Sequence, residues 1–432
     1  MPSTSSSNSS SSTKSSSSQK SSGKDLRIAV IGGGIGGLTL GLALRRHGLR
    51  AAIYEQAAEL AEIGAAVALS ANATRELERL GLGAALAAVS TEPTELIFRD
   101  GRSGARVAAH PVRDGGAYRG RFGAPYYGVH RADLQKVLSG GLAGEGLHLG
   151  HRLTGLDQRG DVMALTFANG VEIEADLVIG GDGVRSQVRR WITGGEAVRY
   201  SGTSAFRGVV PMGLLPSLPD PQAIQFWMGP DAHLLHYAIG GEADSVNFFA
   251  VVEGPETWTS ERWLTGIREG EHLAGFSGWH PAVIEMIDAL PQTQRWGLFV
   301  TDPLRRWHRG RAVLMGDSAH AMLPHHGQGA NTTIEDAVTL AELLSGFSAA
   351  SGTRDLDGMM RHYQDLRQQR TRTIQRSAWA TNRLLHLADS VGAAMLAQRD
   401  ARMARFPEDF SWIHAFDAQA AAREAEGDAR AA

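Results

Sequence analysis

Three segments that combine glycine with residues able to bind a nucleotide occur in a fixed order along the chain. They are Gly32–Gly37 (GGGIGG), Gly181–Ser186 (GDGVRS) and Gly316–His320 (GDSAH). Glycine lets a backbone approach a ligand closely, and a carboxylate accepts hydrogen bonds from sugar hydroxyls. The first segment alone is a weak signal, because glycine-rich turns bind many dinucleotides and also match by chance. The three segments together predict a site for FAD.

The first segment has the surroundings that a dinucleotide-binding turn requires. The apolar run Ile28–Ile31 precedes it and predicts a buried parallel strand, and a helix is predicted over about 36–47. Gly32 allows the tight turn, Gly34 lets the backbone approach the pyrophosphate, and Gly37 lets the helix pack closely on the strand. The helix N-terminus offers N–H groups to the phosphate charge. The glycines predicted to bind the cofactor here are Gly32, Gly34, Gly36 and Gly37.

An acidic residue follows the next predicted strand, Ala51–Tyr54. This residue, Glu55, lies 55 − 37 = 18 residues past Gly37, close to the spacing of about 20 expected for the acid that binds a ribose hydroxyl. A carboxylate there would repel a 2′-phosphate, so the site suits FAD or NAD and not NADP. Gln56 is predicted to contact the cofactor beside it. The alternative is that Glu55 is only a solvent-exposed residue at a strand end.

The composition excludes several classes of protein. Lys+Arg 43 against Asp+Glu 46 gives a formal net charge of −3, and no basic stripe stands out, so no nucleic-acid partner is expected. The absence of cysteine excludes disulfides, thiolate metal sites, a catalytic thiol and a cysteine-linked flavin, so FAD would be bound non-covalently. A chain of 432 residues exceeds one typical core and predicts two domains.

The first 24 residues are a serine-dominated leader without an apolar stretch. Such a segment cannot bury enough surface to fold and does not resemble a secretory signal, so it is predicted to be disordered. No later stretch approaches the ~18 consecutive apolar residues of a membrane span. We therefore expect a cytoplasmic protein with no stable membrane association.

Two further segments carry a family resemblance. They are 62–73, which contains Gly64, and Val129–Gln135, which opens a predicted helix. Together with the three glycine segments they resemble the group A flavoprotein monooxygenases, typified by salicylate and 6-hydroxynicotinate hydroxylases, over about residues 26–345. The resemblance implies that Gly64 and Arg131 bind FAD. It also implies that NADH or NADPH binds transiently in a groove, since no second Rossmann unit is visible.

The second and third segments each follow a predicted strand. In the family, the Asp-Gly segment contacts flavin and nicotinamide, which the resemblance assigns to Asp182, and the later aspartate holds the ribitol hydroxyls, which it assigns to Asp317. A loop, Pro324–Asn331, then leads into a helix with Thr332 and Glu335 at capping-box spacing. Backbone amides at that helix N-terminus would stabilise negative charge on the reduced flavin. The residues predicted to bind the cofactor here are Gly329, Ala330 and Asn331.

Strand-like segments separated by turns lie between the second and third glycine segments. They are 223–228, 233–239 and 245–252, and Asn169-Gly170 marks an earlier hairpin. This pattern predicts an antiparallel sheet that forms the wall of a substrate pocket. His233 and Tyr237 point to one face of it, about 13 Å apart along the strand.

The His-x-x-x-Tyr pattern resembles the 6-hydroxynicotinate and 3-hydroxybenzoate branch of the family, in which both residues meet the substrate. The resemblance therefore assigns catalytic roles to His233 and Tyr237, and to His325 in the Pro-His segment. Packing or hydrogen bonding is the alternative role for a lone strand histidine such as His233. The nicotinate-type enzymes carry a histidine where this chain has Ala68, so the substrate stays open. The neighbouring histidines lack a carboxylate at ligand spacing, and no metal site is predicted.

The predicted fold is α/β, with a Rossmann-type FAD-binding domain interleaved with an antiparallel-sheet substrate domain, followed by C-terminal helices. The predicted FAD-binding domain comprises 25–90, 118–195 and 297–350, the substrate domain 91–117 and 196–296, and the helical region 351–432. A helical stripe formed by Met359, Tyr363 and Leu366 indicates core packing or a dimer contact, or a lid as the alternative.

The resemblance implies an NAD(P)H-using monooxygenase that hydroxylates a small phenolic or carboxylated aromatic. In the family, hydride reduces the flavin, O2 adds at C4a, and the resulting hydroperoxide attacks the ring. The expected partners are the aromatic substrate and O2, with the protein a monomer or homodimer. Two alternatives remain open. One is hydroxylation, epoxidation or Baeyer-Villiger oxidation of a larger natural product, and the other is a flavin-binding sensor without turnover.

Overall fold

The computed structural model describes residues 26–60, 66–195, 198–259, 263–291, 294–350 and 356–431. The predictions for the leader 1–24 and for Gly64 lie outside these residues. The described strands are β1 (Ile28–Ile31), β2 (Ala51–Tyr54), β3 (Ala66–Leu69), β4 (Ser90–Thr91), β5 (Glu95–Asp100), β6 (Arg106–Pro111), β7 (Tyr127–His130), β8 (Leu147–His148), β9 (Leu153–Arg159), β10 (Val162–Phe167), β11 (Glu172–Ala175), β12 (Leu177–Gly180), β13 (Val198–Pro211), β14 (Ile224–Gly229), β15 (Ala232–Ile239), β16 (Ser245–Glu253), β17 (Leu264–Gly266), β18 (Gln294–Thr301), β19 (His308–Arg309) and β20 (Ala312–Leu314).

Helices cover the sheets and form the C-terminal part of the chain. The described α-helices are α1 (Ile35–Arg46), α2 (Ala71–Arg79), α3 (Gly83–Ala88), α4 (Ala117–Phe122), α5 (Arg131–Leu142), α6 (Gln187–Thr193), α7 (Glu271–Ala274), α8 (Pro281–Asp288), α9 (Asp317–His320), α10 (Gln328–Ala350), α11 (Leu356–Leu385), α12 (Ala393–Ala404), α13 (Phe406–Asp409), α14 (Ser411–His414) and α15 (Ala418–Ala431). Within the described ranges, no helix is long and apolar enough to cross a membrane.

A six-stranded sheet with the order β19-β20-β12-β1-β2-β8 brings the three glycine segments together. Strand β1 pairs in parallel with both β12 and β2, so that Ile28 lies between Leu177 and Ala51. Strands β1 and β12 are buried along their whole length because helices cover the sheet. Glycine segments that follow β1, β12 and β20 therefore meet at the carboxyl edge, where ligands bind in open parallel sheets.

An eight-stranded sheet with the order β17-β18-β13-β16-β15-β14-β5-β6 forms the second layer. The predicted antiparallel strands are confirmed as β14, β15 and β16. One face packs against α8 through a cluster that includes Leu234 and Phe248. The opposite face carries Tyr237 and packs against Ala68 and the C-terminal helices. The hairpin at Asn169-Gly170 is also formed, but in a separate sheet of β9, β10 and β11.

The predicted fold class is confirmed, with a parallel sheet, an antiparallel sheet and C-terminal helices. The proposed domain division at 296/297 falls inside β18, which pairs in the eight-stranded sheet. In α11, Met359 and Tyr363 belong to the main core and Leu366 packs against it. The stripe on this helix therefore packs in the core, as expected from its apolar period.

The predicted capping box at Thr332 and Glu335 is wrong. Helix α10 begins earlier, at Gln328, and Thr332 donates its hydroxyl to the Gln328 carbonyl inside the helix (2.7 Å). Glu335 instead receives bonds from Arg367 (2.6 Å) and Arg370 (2.7 Å). Burying an unpaired carboxylate costs more free energy than leaving a helix without this cap. The ion pairs with α11 therefore decide the role of Glu335.

Candidate active site

A groove of about 790 Å³ opens at the carboxyl edge of the six-stranded sheet, and residues of all three glycine segments line it. Most of the residues predicted to bind the cofactor are brought together here. They are Gly32, Gly34, Gly36, Glu55, Gln56, Arg131, Asp182, Asp317, Gly329 and Ala330. The side of the sheet and the order of the strands thus agree with the dinucleotide site that the sequence predicts.

The first glycine turn is packed so tightly that side chains would not fit. A Cβ atom on Gly32 would lie 2.4 Å from the Gly181 carbonyl oxygen, and Gly32 has a φ of +109°. A Cβ on Gly37 would lie 2.0 Å from the Gly32 oxygen, which explains its role in packing although it does not line the groove. No atom lies within 4 Å of the corresponding position on Gly34. The open space at Gly34 is where a phosphate can approach the backbone.

Glu55 lies at the end of β2 and connects two turns at the groove. The Gly33 N–H donates to its Oε2 (2.7 Å), and the Ala57 N–H donates to its Oε1 (2.9 Å). The carboxylate is therefore held at the groove wall by backbone amides, with lone pairs left for a ribose hydroxyl. The alternative of an unconstrained surface glutamate does not match these contacts.

Asp182 has a structural role in addition to its place on the groove wall. Its carboxylate accepts from the Ser186 hydroxyl (2.5 Å) and from the Gln187 N–H (2.7 Å), at the start of α6. Burial raises the pKa of Asp182, and the bonds from Ser186, Val188 and Gln187 oppose that rise. The aspartate thus orders the turn that faces the groove.

The third segment and the start of α10 form the other end of the groove. The side chain of Asp317 is exposed there, and its Oδ1 would lie 3.9 Å from a Cβ atom on Gly329. Gly329 and Ala330 belong to the first turn of α10, so their N–H groups lie at a helix N-terminus. This end of the groove suits the part of a flavin that gains negative charge on reduction.

Asn331 does not line the groove. Its amide group donates to the carbonyls of Ala68 (2.9 Å) and Gly327 (2.6 Å), and its oxygen accepts from the Ser70 N–H (2.9 Å). These bonds join the end of β3 to the loop before α10. Its proposed role in FAD binding is therefore indirect, through the position of this loop.

Several groove residues were not predicted from the sequence. They are His151, Arg152, Arg185, Arg190 and Thr333. Arg185 lies within the second glycine segment, and this position could have predicted it as a groove residue. His151 and Arg152 follow the two-residue strand β8, which is too short to be recognised from its pattern. The arginines add positive charge where a pyrophosphate would lie.

The groove fits FAD. Glu55, Asp317 and the first turn of α10 all line it, and the open space beside Gly34 leaves room for a pyrophosphate. Among the described residues, no group of three or more His, Cys, Asp or Glu side chains could hold a metal ion. His320 is paired with Asp336 (2.5 Å) and lies in the core.

The predicted catalytic histidines lie behind the start of α10 and not on the wall of the groove. The rings of His233 on β15 and His325 in the turn Pro324–His326 meet edge to face with centroids 4.9 Å apart. Both side chains are almost completely buried. His233 Nδ1 shares a hydrogen bond of 2.6 Å with Nε2 of His386, which directly follows α11 and was not predicted as a site residue. Neither ring nitrogen of His325 has a hydrogen-bond partner among the described residues.

Burial decides the protonation of this cluster. Burial, together with the neighbouring imidazoles, holds the pKa of His233 and of His325 well below the usual range, so both are neutral near pH 7. Burial also raises the pKa of Tyr237 well above its usual range, so its hydroxyl stays protonated. The neutral imidazole of His233 and the protonated phenol of Tyr237 thus lie on one face of the sheet, and the neutral ring of His325 contacts His233 from the turn before α10.

A second cavity of about 280 Å³ adjoins this face. Its walls are mainly apolar and aromatic, and include Tyr118, Tyr126, Phe122 and Phe406. Tyr126 belongs to the same apolar cluster as Tyr237 and Ala68. The Tyr118 hydroxyl pairs with His414 Nδ1 (2.8 Å), so a C-terminal helix closes the cavity.

Comparison with known proteins agrees with an FAD site in this groove. A family model described as an FAD binding domain matches residues 25–378. The chain is 38% identical over 394 residues to a 3-amino-4-hydroxybenzoate 2-monooxygenase of Streptomyces platensis, covering 91% of this chain and 96% of that protein. It is 36% identical over 351 residues to a 6-hydroxynicotinate 3-monooxygenase of Bordetella bronchiseptica, covering 81% of this chain and 90% of that protein.

A solved structure of a salicylate hydroxylase substrate complex superposes with a TM-score of 0.78 at 27% identity, covering 93% of this chain and 98% of that one. The range of the family model includes both sheets, the residues that line the groove, His233 and His325. The family's use of NADH or NADPH to reduce the flavin agrees with a groove that contains one dinucleotide-binding turn. The chain therefore belongs to the FAD-dependent aromatic monooxygenases, the group A flavin hydroxylases, and is an oxygen-incorporating oxidoreductase.

Proposed function

We propose that this enzyme hydroxylates a small aromatic acid that carries a phenolic hydroxyl or an equivalent ring oxygen. The observation that supports this most is the pair of buried, neutral imidazoles of His233 and His325 on the sheet face behind the FAD groove. A neutral imidazole accepts the phenol proton, which makes the ring more electron-rich and more reactive toward an electrophilic oxygen. The names of the relatives, which include aminohydroxybenzoate and hydroxynicotinate monooxygenases, agree with this substrate class.

Each group has a distinct part in this proposal. FAD, when bound, supplies the hydride-accepting and oxygen-activating chemistry. Gly32, Gly34, Glu55 and Arg131 hold its adenosine and pyrophosphate parts, and Asp317 with the α10 N-terminus holds the flavin end.

The substrate ring lies on the apolar cluster of Ala68 and Tyr237. The Tyr237 hydroxyl donates a hydrogen bond to the substrate oxygen, and His325 or His233 removes its proton. Burial of these groups keeps bulk water away from the reacting atoms.

Three further features belong to the proposal. O2 is the oxidant, NADH or NADPH is the electron donor, and the enzyme acts in the cytoplasm as a monomer or homodimer. Glu55 belongs to the FAD site, so it does not indicate whether NADH or NADPH is the electron donor.

A panel of aromatic acids tests the proposal. The FAD-bound enzyme is mixed with NADH or NADPH and with 3-amino-4-hydroxybenzoate, 6-hydroxynicotinate, salicylate or 3-hydroxybenzoate, and both nicotinamide oxidation and product mass are followed. We expect at least one compound to accelerate oxidation and to gain one oxygen atom. Oxidation that none of these compounds stimulates, or that yields hydrogen peroxide and no oxygenated product, would refute the proposal.

Oxygenation of a larger natural product is the second candidate. The cavity of about 280 Å³ beside Tyr126 favours it, because it would extend the space on the Tyr237 side of the sheet. The same assay with a second ring attached to the best benzoate distinguishes the two. A higher kcat/KM for the larger compound would support the second candidate, and exclusion of it would support the first.

A further inference from the structure

Four residues from separate parts of the chain form a continuous line from the protein surface to the proposed substrate site. Glu253 ends β16, and His386 follows α11 directly. Glu253 Oε1 lies 2.5 Å from His386 Nδ1, and His386 Nε2 lies 2.6 Å from His233 Nδ1. The ring of His325 completes the line at 4.9 Å from the His233 ring. The Glu253 side chain is 43% exposed, whereas that of His386 is 3% exposed.

We propose that Glu253 and His386 form a proton relay that orients His233 and carries the substrate proton to solvent. The proposal rests on the proposed function, because it takes the phenol of that substrate as the source of the proton. His386 and Glu253 act through His233 and are positioning residues. Nothing in the family comparison assigns them a role.

The proposed direction of transfer assigns the proton of each ring to one nitrogen. An ionised carboxylate only accepts, so His386 must carry its proton on Nδ1 and donate it to Glu253. In this arrangement His386 accepts at Nε2, so His233 carries its proton on Nδ1 and donates to His386. The lone pair of His233 therefore lies on Nε2, the nitrogen that this line of hydrogen bonds leaves available. The carboxylate at the surface thus makes the buried imidazole a base.

Each proton step is balanced. The substrate hydroxyl gives its proton to His233 Nε2 and becomes a phenolate, while the Nδ1 proton of His233 moves to His386 Nε2. The Nδ1 proton of His386 moves to Glu253, which releases it to water through its exposed oxygen. The rings regain their starting tautomers when His233 Nε2 gives its proton to the phenolate of the product and Glu253 takes up a proton from water, and no electrons leave the relay.

The charges around the relay support this direction of transfer. Burial opposes ionisation of Glu253, but hydrogen bonds from His386 and Asn382 lower its pKa. The titratable groups that face the relay are Glu253, His386, His233 and His325, with His326 beside His325. Glu253 is the one negative charge among these groups, so it favours an added proton on the relay.

The test compares Glu253→Gln and His386→Gln with the wild-type FAD-bound enzyme. Glu256→Gln, an exposed acid just beyond the same strand, and His362→Gln, on α11, are the matched controls. We expect both relay variants to bind FAD normally and to lower kcat by about 10- to 100-fold, part of the ~10²–10⁴-fold that acid–base catalysis supplies. The acid limb of their kcat profile should move to lower pH, because the negative charge no longer stabilises the added proton. The controls should keep the wild-type rate and profile.

A second measurement tests for the hydrogen bonds of the relay without turnover. In FAD-bound protein labelled with 15N-histidine, short imidazole hydrogen bonds give low-field N–H proton resonances, which both relay variants should lose and both controls should keep. Wild-type resonances or an unshifted acid limb in Glu253→Gln would overturn the proposal. If His386→Gln does not fold, the surface variant Glu253→Gln carries the test alone. Failure of the proposed function would appear differently, as a wild-type enzyme that oxygenates no phenol but keeps these resonances.

Discussion

The His233 ring meets the His325 ring edge to face, with 4.9 Å between centroids, so that a strand of the antiparallel sheet contacts the loop that leads into the flavin end of the groove. The contact brings together an imidazole from strand β15 and an imidazole from the turn Pro324–His326. It also joins the substrate face to the part of the FAD site where reduction adds charge.

Replacing His325 with Ala should leave FAD binding intact and lower coupled product formation. His325 does not line the groove, and its buried ring nitrogens have no partner among the described residues, so its loss removes no groove contact and no side-chain hydrogen bond among them. We expect a fall of about 100-fold in product per unit time, within the range for a general base. Product mass and NAD(P)H oxidation, measured together, give the coupling ratio. An unchanged ratio and rate would show that His325 is not catalytic.

Gly329→Val should abolish FAD occupancy or flavin reduction. A Cβ atom at this position fits, but the branched side chain would project toward Asp317 and fill the groove at the α10 N-terminus. The ratio of flavin to protein absorbance in the purified enzyme measures occupancy. Gly140→Val is the control, because Gly140 lies on the exposed side of α5 with no atom near its Cβ position. Normal turnover of the Gly329 variant would contradict the placement of the flavin.

Glu55→Ala should weaken FAD binding about 10-fold or more. The carboxylate accepts from the Gly33 and Ala57 amides and faces the groove, and hydrogen bonds to charged groups contribute ~1.5–3 kcal/mol each. Titration of the apoprotein with FAD, followed by quenching of flavin fluorescence, gives the affinity. Glu59→Ala changes an exposed acid of the same turn and should bind FAD as the wild type does. Equal FAD affinities in the two variants would show that Glu55 does not bind the ribose.

Arg367→Leu should destabilise the fold by about 3–5 kcal/mol, as expected when one partner of a buried ion pair is lost. Arg367 donates to Asp336 (2.6 Å) and Glu335 (2.6 Å) and is 1% exposed. Arg361→Leu, on the same helix, removes an exposed pair with Asp357 and should cost at most ~1 kcal/mol. Chemical denaturation of both variants measures the difference, and similar midpoints would contradict the role of the buried cluster.

The free energy of unfolding should fall as the pH drops below about 6.5, and His236 should account for part of the fall. Burial and nearby Arg99 lower the pKa of His236 to about 3, so the folded protein keeps this ring neutral while the unfolded chain protonates it. The unfolded state then binds more protons between these two pKa values, and each pH unit costs up to ~1.4 kcal/mol. His236→Leu should therefore flatten the dependence below pH 6.5 and leave the dependence above pH 7 parallel to the wild type. An unchanged slope at low pH would contradict this.

Local sequence alone determined the nucleotide-binding part of this protein. Glycine at 32, 34 and 37, an acid after β2, and Asp182 and Asp317 after two more strands specify where a dinucleotide can lie, because strand ends in a parallel sheet meet at one edge. The alternation of His233 and Tyr237 likewise placed both on one sheet face, since side chains on a strand alternate with period two.

Tertiary structure decided what those local patterns could not. The roles of Asn331 and Glu335 depend on partners far away in the chain, namely the carbonyl of Ala68 and the guanidinium groups of α11. No local motif predicts the contacts of His386 with Glu253 and His233. These hydrogen bonds join the end of a helix to two strands, so they depend on how the layers pack. The glycine segments thus predicted the cofactor and the family resemblance implied the reaction class, whereas packing decided which buried groups are neutral and which are paired.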